Sequence, residues 1–221
     1  MKSKRNLLEQ LKSLPHFNKN SICHLGKQLG LRDTTVNTYI SRFLKHKEIY
    51  QLKKGLYVSA DFFSKNRADI SYFFYLANVI RTPSYVSSGT ALQYYSLSTE
   101  VIHTIASVTL KVTRDYRTKA GNFAYQSIKK DLFSDFLLVK GKPVLGTNAG
   151  DAIETNGFEF FIASPAKALF DLLYFKTHQF RGVRWEEIKT LIEELRIDIG
   201  EMDRKEQTKF YAMIRKHLHH E

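Results

Sequence analysis

Residues 33–58 read DTTVNTYISRFLKHKEIYQLKKGLYV, a helical pattern that passes directly into a hairpin pattern. Val36, Tyr39, Ile40, Phe43 and Leu44 recur at the three- and four-residue spacing of one helix face, and Asp33 stands where an N-cap belongs. On the opposite face Thr35, Thr38, Arg42 and Lys45 form a second stripe, flanked by Thr34, Asn37 and Ser41. Short hydrogen-bonding groups with cations toward one end suit a helix that enters a major groove and reaches base edges and phosphates. The plainer alternative is an amphipathic helix whose polar side faces water. After the helix, 49–52 and 56–58 are β-prone runs joined by Lys53-Lys54-Gly55, and Gly55 supplies the dihedral freedom of a tight connection. Lys53 and Lys54 at such a tip suit a phosphate backbone.

Upstream, Leu7, Leu8, Leu11 and Leu14 predict a first helix ended near Pro15. Ile22, Leu25 and Leu29 predict a second, capped by Ser21 or Asn20 and stopped at Gly30. Only Gly30, Leu31 and Arg32 separate it from the helix at 33, and a turn that short containing Gly is the helix-turn-helix signature. With the hairpin added, residues 1–62 read as a winged helix-turn-helix domain, followed by a larger α+β domain over 67–221. Charge agrees: residues 1–60 hold twelve Lys and Arg against Glu9, Asp33 and Glu48, a net +9 of the +12 carried by the whole chain. Phosphate neutralisation and counterion release dominate nucleic-acid affinity, so positive charge concentrated beside a groove-sized helix points to duplex DNA.

The 43% hydrophobic and 13% aromatic content is ample for packed cores and excludes a disordered chain. No signal peptide and no apolar run long enough to span a bilayer is present, so no membrane role is expected. The single cysteine, Cys23, rules out an intrachain disulfide and a cysteine-rich metal site; a reducing cytoplasm is the expected compartment, with Cys23 as a small packed residue.

Beyond a connection at 60–66, residues 69–80 predict a mostly buried helix halted before Pro83. Tyr85 and Val86 mark a short strand, and Ser87 or Ser88 caps a helix from Thr90 to near Ser96. From 102 to 128 the period changes to two: Ile105, Ser107, Thr109, Lys111 and Thr113 alternate with Ala106, Val108, Leu110 and Val112, a half-buried strand with one polar face. Phe123, Tyr125 and Ser127 begin another; runs at 136–139 and 158–163, with a hairpin around 141–143, complete a mainly antiparallel sheet. Ser164-Pro165 opens a helix, and residues 185–195 and 204–217 predict two more C-terminal helices.

No catalytic constellation emerges. Glu187-Ile188-Lys189 has the E-x-K spacing of some metal-dependent nucleases, with Asp171 or Asp151 as partners, but residues two apart on a helix point to different faces. Asp151 lacks a second carboxylate at D-x-D spacing, there is no Gly-rich phosphate loop, and His217, His219 and His220 stand at the chain end; neither metal nor cofactor is expected. Lys111, Arg114, Arg117, Lys119, Lys129 and Lys130, with Thr113, Tyr116 and Tyr125 interleaved, offer a basic strand face that would meet DNA, RNA or an acidic partner, or simply face water.

Tyr85-Val86-Ser87 with Ala91-Leu92, Ser107-Val108-Thr109 with Lys111, Thr113 and Arg114, residues 121–125 with Ile128-Lys129, and Ile162-Ala163-Ser164-Pro165-Ala166-Lys167-Ala168-Leu169-Phe170-Asp171-Leu172-Leu173 appear in an order and spacing that resembles the AbiEi antitoxin family. The resemblance implies a transcriptional autorepressor, binding an inverted-repeat operator in its own promoter. It also implies the antitoxin of a type IV, phage-defence toxin–antitoxin pair, countering an AbiEii-type nucleotidyltransferase toxin with no direct contact required. This chain departs from the pattern in two places: Ala166 stands where a Glu is expected, and Ser96-Leu97 where a Gly-Leu usually ends the helix. The alternative is a plain winged-helix repressor whose second domain binds a small ligand or mediates assembly.

Overall fold

The computed structural model describes residues 2–99, 101, 103–141 and 157–218, with side chains from Lys4 onward. Among these residues the fold is α+β, with nine α-helices and two β-sheets. Most of the loop expected around 141–143, and Asp151, His219 and His220, lie outside the described residues.

The first sixty residues form α1 (Lys2–Lys12), β1 (Phe17–Asn18), α2 (Lys19–Gln28), α3 (Asp33–Lys45), β2 (Ile49–Lys53) and β3 (Leu56–Ser59). The strands pair antiparallel in the order β1-β3-β2. The apolar stripes of the three helices converge: Leu7 and Leu11, Ile22, and Val36, Ile40 and Phe43 are buried with Phe17, Ile49 and Tyr57 in one cluster. Helix α2 is capped by Asn18, whose Oδ1 accepts the Ser21 N–H at 2.9 Å, not by Asn20 or Ser21. Asn18 ends the paired segment β1, so the helix starts as soon as the ladder releases the backbone. Nor is Asp33 the cap of α3. Arg32 holds that position, and Asp33 is the first helical residue, where its charge favours the amide end of the helix.

Between α2 and α3 the chain turns at Gly30 (φ +72°), and the Leu31 N–H donates back to the Gly26 carbonyl at 2.9 Å. Gly26 is the contact point of the two helices, since a Cβ there would stand 2.4 Å from Val36 Cγ2. The hairpin β2–β3 is covered on both faces. Period two sends Tyr57 into the small cluster and its neighbours Leu56 and Val58, with Leu52, into the larger core of the chain.

Residues 60–66, expected as a connection, form α4 (Ala60–Asn66), started by the Phe62 N–H donating to Ser59 Oγ at 3.0 Å. Helix α5 (Ile70–Ile80) follows, capped by Asp69. Its Tyr72 hydroxyl donates to the Pro15 carbonyl at 2.7 Å, and the Tyr75 hydroxyl lies 2.6 Å from His16 Nδ1, fastening the larger part of the chain to the loop after α1.

The second sheet contains β4 (Ser84–Val86), β5 (Thr104–Thr109), β6 (Arg114–Thr118), β7 (Gly121–Ser127), β8 (Phe136–Lys140) and β9 (Glu159–Ala163), in the order β6-β7-β5-β4-β9-β8. It is antiparallel in three of its five pairings, as expected, but β5–β7 and β4–β9 run parallel. The parallel β5–β7 ladder arises because β6 folds onto the far edge of β7, leaving β7 to lie directly on β5. Helix α5 and the helical segment after β4 pack on β5, so Ser107 and Thr109, expected on a solvated face, are buried; Thr109 Oγ1 donates to the Pro83 carbonyl at 2.6 Å. Helix α6 (Ser88–Tyr94) lies between β4 and β5 in sequence, and α7 (Pro165–Lys176), α8 (Trp185–Glu194) and α9 (Arg204–His217) complete the chain.

Candidate nucleic-acid interface

Helix α3 buries Val36, Ile40 and Phe43 and turns Thr34, Asn37, Thr38, Ser41, Arg42 and Lys45 to solvent, with Thr35 half-buried. Thr38 and Ser41 donate their hydroxyls one turn back, to the Thr34 and Asn37 carbonyls at 3.1 and 3.2 Å. The side chains of Asn37, Arg42 and Lys45 have no hydrogen bond or ion pair to another described residue, so their donors point outward unspent. Beside Asn37 a groove of about 480 Å³ separates α3 from α2, lined by Lys19, Lys27 and His24 with half-buried Cys23.

At the hairpin tip the two lysines differ. Lys54 is exposed. Lys53 is turned inward, its Nζ donating to the Ile80 carbonyl at 2.5 Å; burial pulls its ammonium pKa down, and Lys111 and Arg81 push the same way against Tyr116. Lys53 is therefore not a free phosphate contact, because the hairpin face that carries Leu52 packs on the rest of the chain and takes Lys53 with it. The same inward docking brings the tip beside Lys111 in the loop after β5, a contact between distant segments that no local pattern marks.

All six basic residues expected on the strand face are exposed, but they form two groups. The parallel register Thr109↔Ser127 puts Lys111, which follows β5, and Lys129 and Lys130, which follow β7, at one end of the sheet; Arg114, opposite Tyr125 on β6, joins them. Arg117, opposite Asn122, and Lys119 in the β6–β7 turn lie at the other end. Arg114 lies over the Tyr116 ring at 5.7 Å, and buried Arg81 ties the first group to the hairpin region by donating to Tyr116 Oη and to the Val112 carbonyl.

The motif residues Tyr85, Ser87, Lys167 and Asp171 meet in the core. Lys167 Nζ stands 2.7 Å from Asp171 Oδ1, both side chains wholly buried, while Asp171 Oδ2 accepts the Ser87 and Tyr85 hydroxyls at 2.7 and 3.1 Å. Burial raises the Asp171 carboxyl pKa, opposed by the Lys167 charge and the three hydrogen bonds. Asp171 is not brought to Glu187, which pairs with Arg184 at 3.4 Å, nor to Lys189, whose ammonium lies 5.5 Å from the Trp185 ring centroid. His217 Nδ1 contacts the Met213 carbonyl at 2.8 Å. At the start of α7 the Ala166 N–H donates to Glu206 Oε2 at 2.8 Å, so α9 delivers the carboxylate that residue 166 lacks. Lys209 on α9 bridges Asp135 at 2.8 Å and Ser164 Oγ at 3.2 Å; burial raises the Asp135 pKa, but the bonds from Lys209 and Ser134 outweigh it and hold it low.

A second concavity, of about 1320 Å³, opens between the 180–185 loop, α8 and the second half of α9. Nothing in the sequence periodicity marks it. No protein-family model matches the chain, and no curated protein matches it either, so the resemblance to the AbiEi family rests on the quoted motifs alone.

Proposed function

We propose that residues 2–59 are a winged helix-turn-helix that binds duplex DNA and represses the chain's own promoter, and that the remainder is the antitoxin of a type IV pair, countering an AbiEii-type nucleotidyltransferase toxin without needing to touch it. One observation carries the DNA reading: α3 presents Asn37, Arg42 and Lys45 without internal partners on the face opposite its buried stripe. Asn and Arg are the side chains that pair bidentately with adenine and guanine edges. Lys54, Lys111 and Arg114, drawn together by the docked hairpin, extend the cationic surface and take phosphates. This favours DNA over RNA or an acidic protein as the partner of the basic strand end. The antitoxin role is supported by the order of the motifs. A plain repressor whose larger part binds a small ligand is the second reading, favoured by the cavity at α8 and α9.

The full chain titrated onto duplexes from the region upstream of its gene tests the first part. Log affinity falls against log salt by about 0.9 per phosphate contacted, and footprinting shows an inverted repeat. Asn37→Ala and Arg42→Ala each cost about 1–3 kcal/mol of discrimination between operator and unrelated DNA. Lys54→Ala, Lys111→Ala and Arg114→Ala weaken all sequences alike, each lowering the salt slope by about one. A folded chain that binds no duplex in dilute salt refutes the proposal. For the second part, Asn37→Ala with Arg42→Ala loses repression yet still rescues cells expressing the neighbouring toxin; loss of both together overturns a separable antitoxin.

A further inference from the structure

Apolar and cationic side chains share the walls of the large cavity. Half-buried Trp185 and Tyr211 form aromatic surface beside buried Phe180, with Trp185 edge-on to Tyr211 at 5.8 Å between ring centroids. Around them Arg184, Lys189 and Arg215 are exposed cations, and among the described residues Glu186 is the one carboxylate in the lining. An apolar ligand alone leaves Lys189 and Arg215 without counter-charge, Arg184 having Glu187 at 3.4 Å, and a bare anion leaves the ring faces unused. Both are satisfied by a planar aromatic group joined to an anionic tail. The approach to the cavity also carries backbone strain: His178, Gln179 and Phe180 are consecutive left-handed residues (φ 49°, 71° and 57°), a conformation each non-glycine residue adopts at a cost and one that concentrates at ligand sites.

We propose that this cavity binds a nucleotide, its base stacked on Trp185 and Tyr211 and its phosphates held by Arg184, Lys189 and Arg215. Stacking on an aromatic platform with flanking cations is how bases are held without sequence readout. Lys189, whose ammonium now lies 5.5 Å from the Trp185 ring centroid, moves off the indole when the base arrives and meets the phosphates. Glu186, an acceptor among donors, suits the ribose hydroxyls. The volume exceeds the roughly 300–1000 Å³ usual for small-molecule sites, so a nucleoside triphosphate fits with its water. The proposal depends only on this cavity and holds whether or not α3 binds DNA.

Trp185 is the single tryptophan of the chain, so its fluorescence reports the cavity directly. ATP, GTP, CTP and UTP are titrated separately into the full chain, with adenosine and pyrophosphate as half-ligands and a ten-nucleotide DNA strand as the polymeric source of the same chemistry. The expected result is a saturable change with at least one triphosphate, at least tenfold tighter than either half-ligand. Arg184→Glu and Arg215→Glu, both at exposed positions, weaken it at least tenfold with thermal melting unchanged, while Arg67→Glu, at the exposed end of α4 and outside the cavity lining, leaves it alone. The proposal is overturned by no saturable response to any triphosphate at millimolar concentration, by a response equal in the charge-reversal variants, or by a half-ligand binding as tightly as the whole. A response to the strand but to no mononucleotide overturns it too.

Discussion

The ion pair Lys167–Asp171 makes a quantitative demand on stability. Both side chains are wholly buried, 2.7 Å apart, and Asp171 also accepts two hydroxyls. Asp171→Asn keeps the shape and removes the counter-charge, stranding an ammonium whose remaining support is the Phe170 ring, its centroid 5.0 Å away. Breaking one side of a buried pair costs about 3–5 kcal/mol. For a chain of this size each kcal/mol shifts Tm by about 2–4 °C, so Tm falls by about 6–20 °C. Lys167→Met strands the carboxylate instead, which can escape by taking a proton. Its folded pKa, already raised by burial, rises further without the lysine, so the folded state binds more protons than the unfolded one. Stability of Lys167→Met is therefore best in acid and is lost as pH climbs from the ordinary carboxylate value toward the raised one. The double variant Lys167→Met with Asp171→Leu, which buries no charge, recovers most of either loss. Thermal and urea melts of the full chain across pH supply the measurement. Single variants within about 1 kcal/mol of the parent, or a Lys167→Met melt independent of pH, would falsify this account, and a DNA affinity lost in folded Asp171→Asn would show that the network reaches α3.

Gly26→Ala gains about 1 kcal/mol of helix propensity but drives a methyl to 2.4 Å from Val36 Cγ2, an overpacking worth about 1–3 kcal/mol; the melt should show a net loss, smaller when Val36→Ala is added than the separate effects predict, and additivity would disprove the contact. His16 is held neutral by burial, with its pKa lowered, and meets the Tyr75 hydroxyl. Its contribution is complete above the unfolded value near 6.5 and is lost as pH falls from there toward the depressed folded value; His16→Gln removes that slope, and an unchanged slope points to another group. Lys53→Ala should cost about 1 kcal/mol of stability through the Ile80 carbonyl, whereas Lys54→Ala should leave the melt alone; equal melts for the two would mean that Lys53 is as free as Lys54.

Elements whose signal is local were legible in the sequence. Helix α3 spans the residues its stripe defines, α9 begins and ends where expected, and the hairpin turns at Gly55 with φ +80°. What escaped depended on tertiary context. Helix α4 is seven residues with no apolar stripe to read, and α2 took its cap from Asn18 because the two-residue strand β1 fixed the backbone there. The burial of Ser107 and Thr109 follows from α5 and α6 packing on β5, a matter of tertiary contact that alternation along one strand does not encode. For the candidate interface, the polar face of α3 was readable residue by residue. The inward turn of Lys53 and the division of the basic strand residues into two ends were not, since both are set by which strands pair.

The motifs that carry the family resemblance describe one place in the molecule. Tyr85 and Ser87 on β4 and Lys167 and Asp171 on α7 are joined by hydrogen bonds, Val86 pairs with Ile162 across the parallel β4–β9 ladder, and Tyr125 donates to the Ala77 carbonyl at 2.6 Å on the same core. These residues are buried and bear on how the chain folds, whereas the motif residues Lys111, Arg114 and Lys129 are exposed at the basic end of the sheet. The surfaces able to meet a partner lie elsewhere: α3 with Lys54, the basic end of the sheet beside it, and the cavity at α8 and α9. The docked hairpin links the first two, because Leu52, Leu56 and Val58 belong to the larger core while Ile49 and Tyr57 belong to the smaller. A segment cut near residue 62 would bare those three apolar side chains to water. Since burying each is worth about 1.5–3 kcal/mol, as much as a sixty-residue unit can spare, the proposed DNA binding is to be tested on the full chain, and the proposed repression and toxin rescue are to be separated by point variants on α3 rather than by truncation.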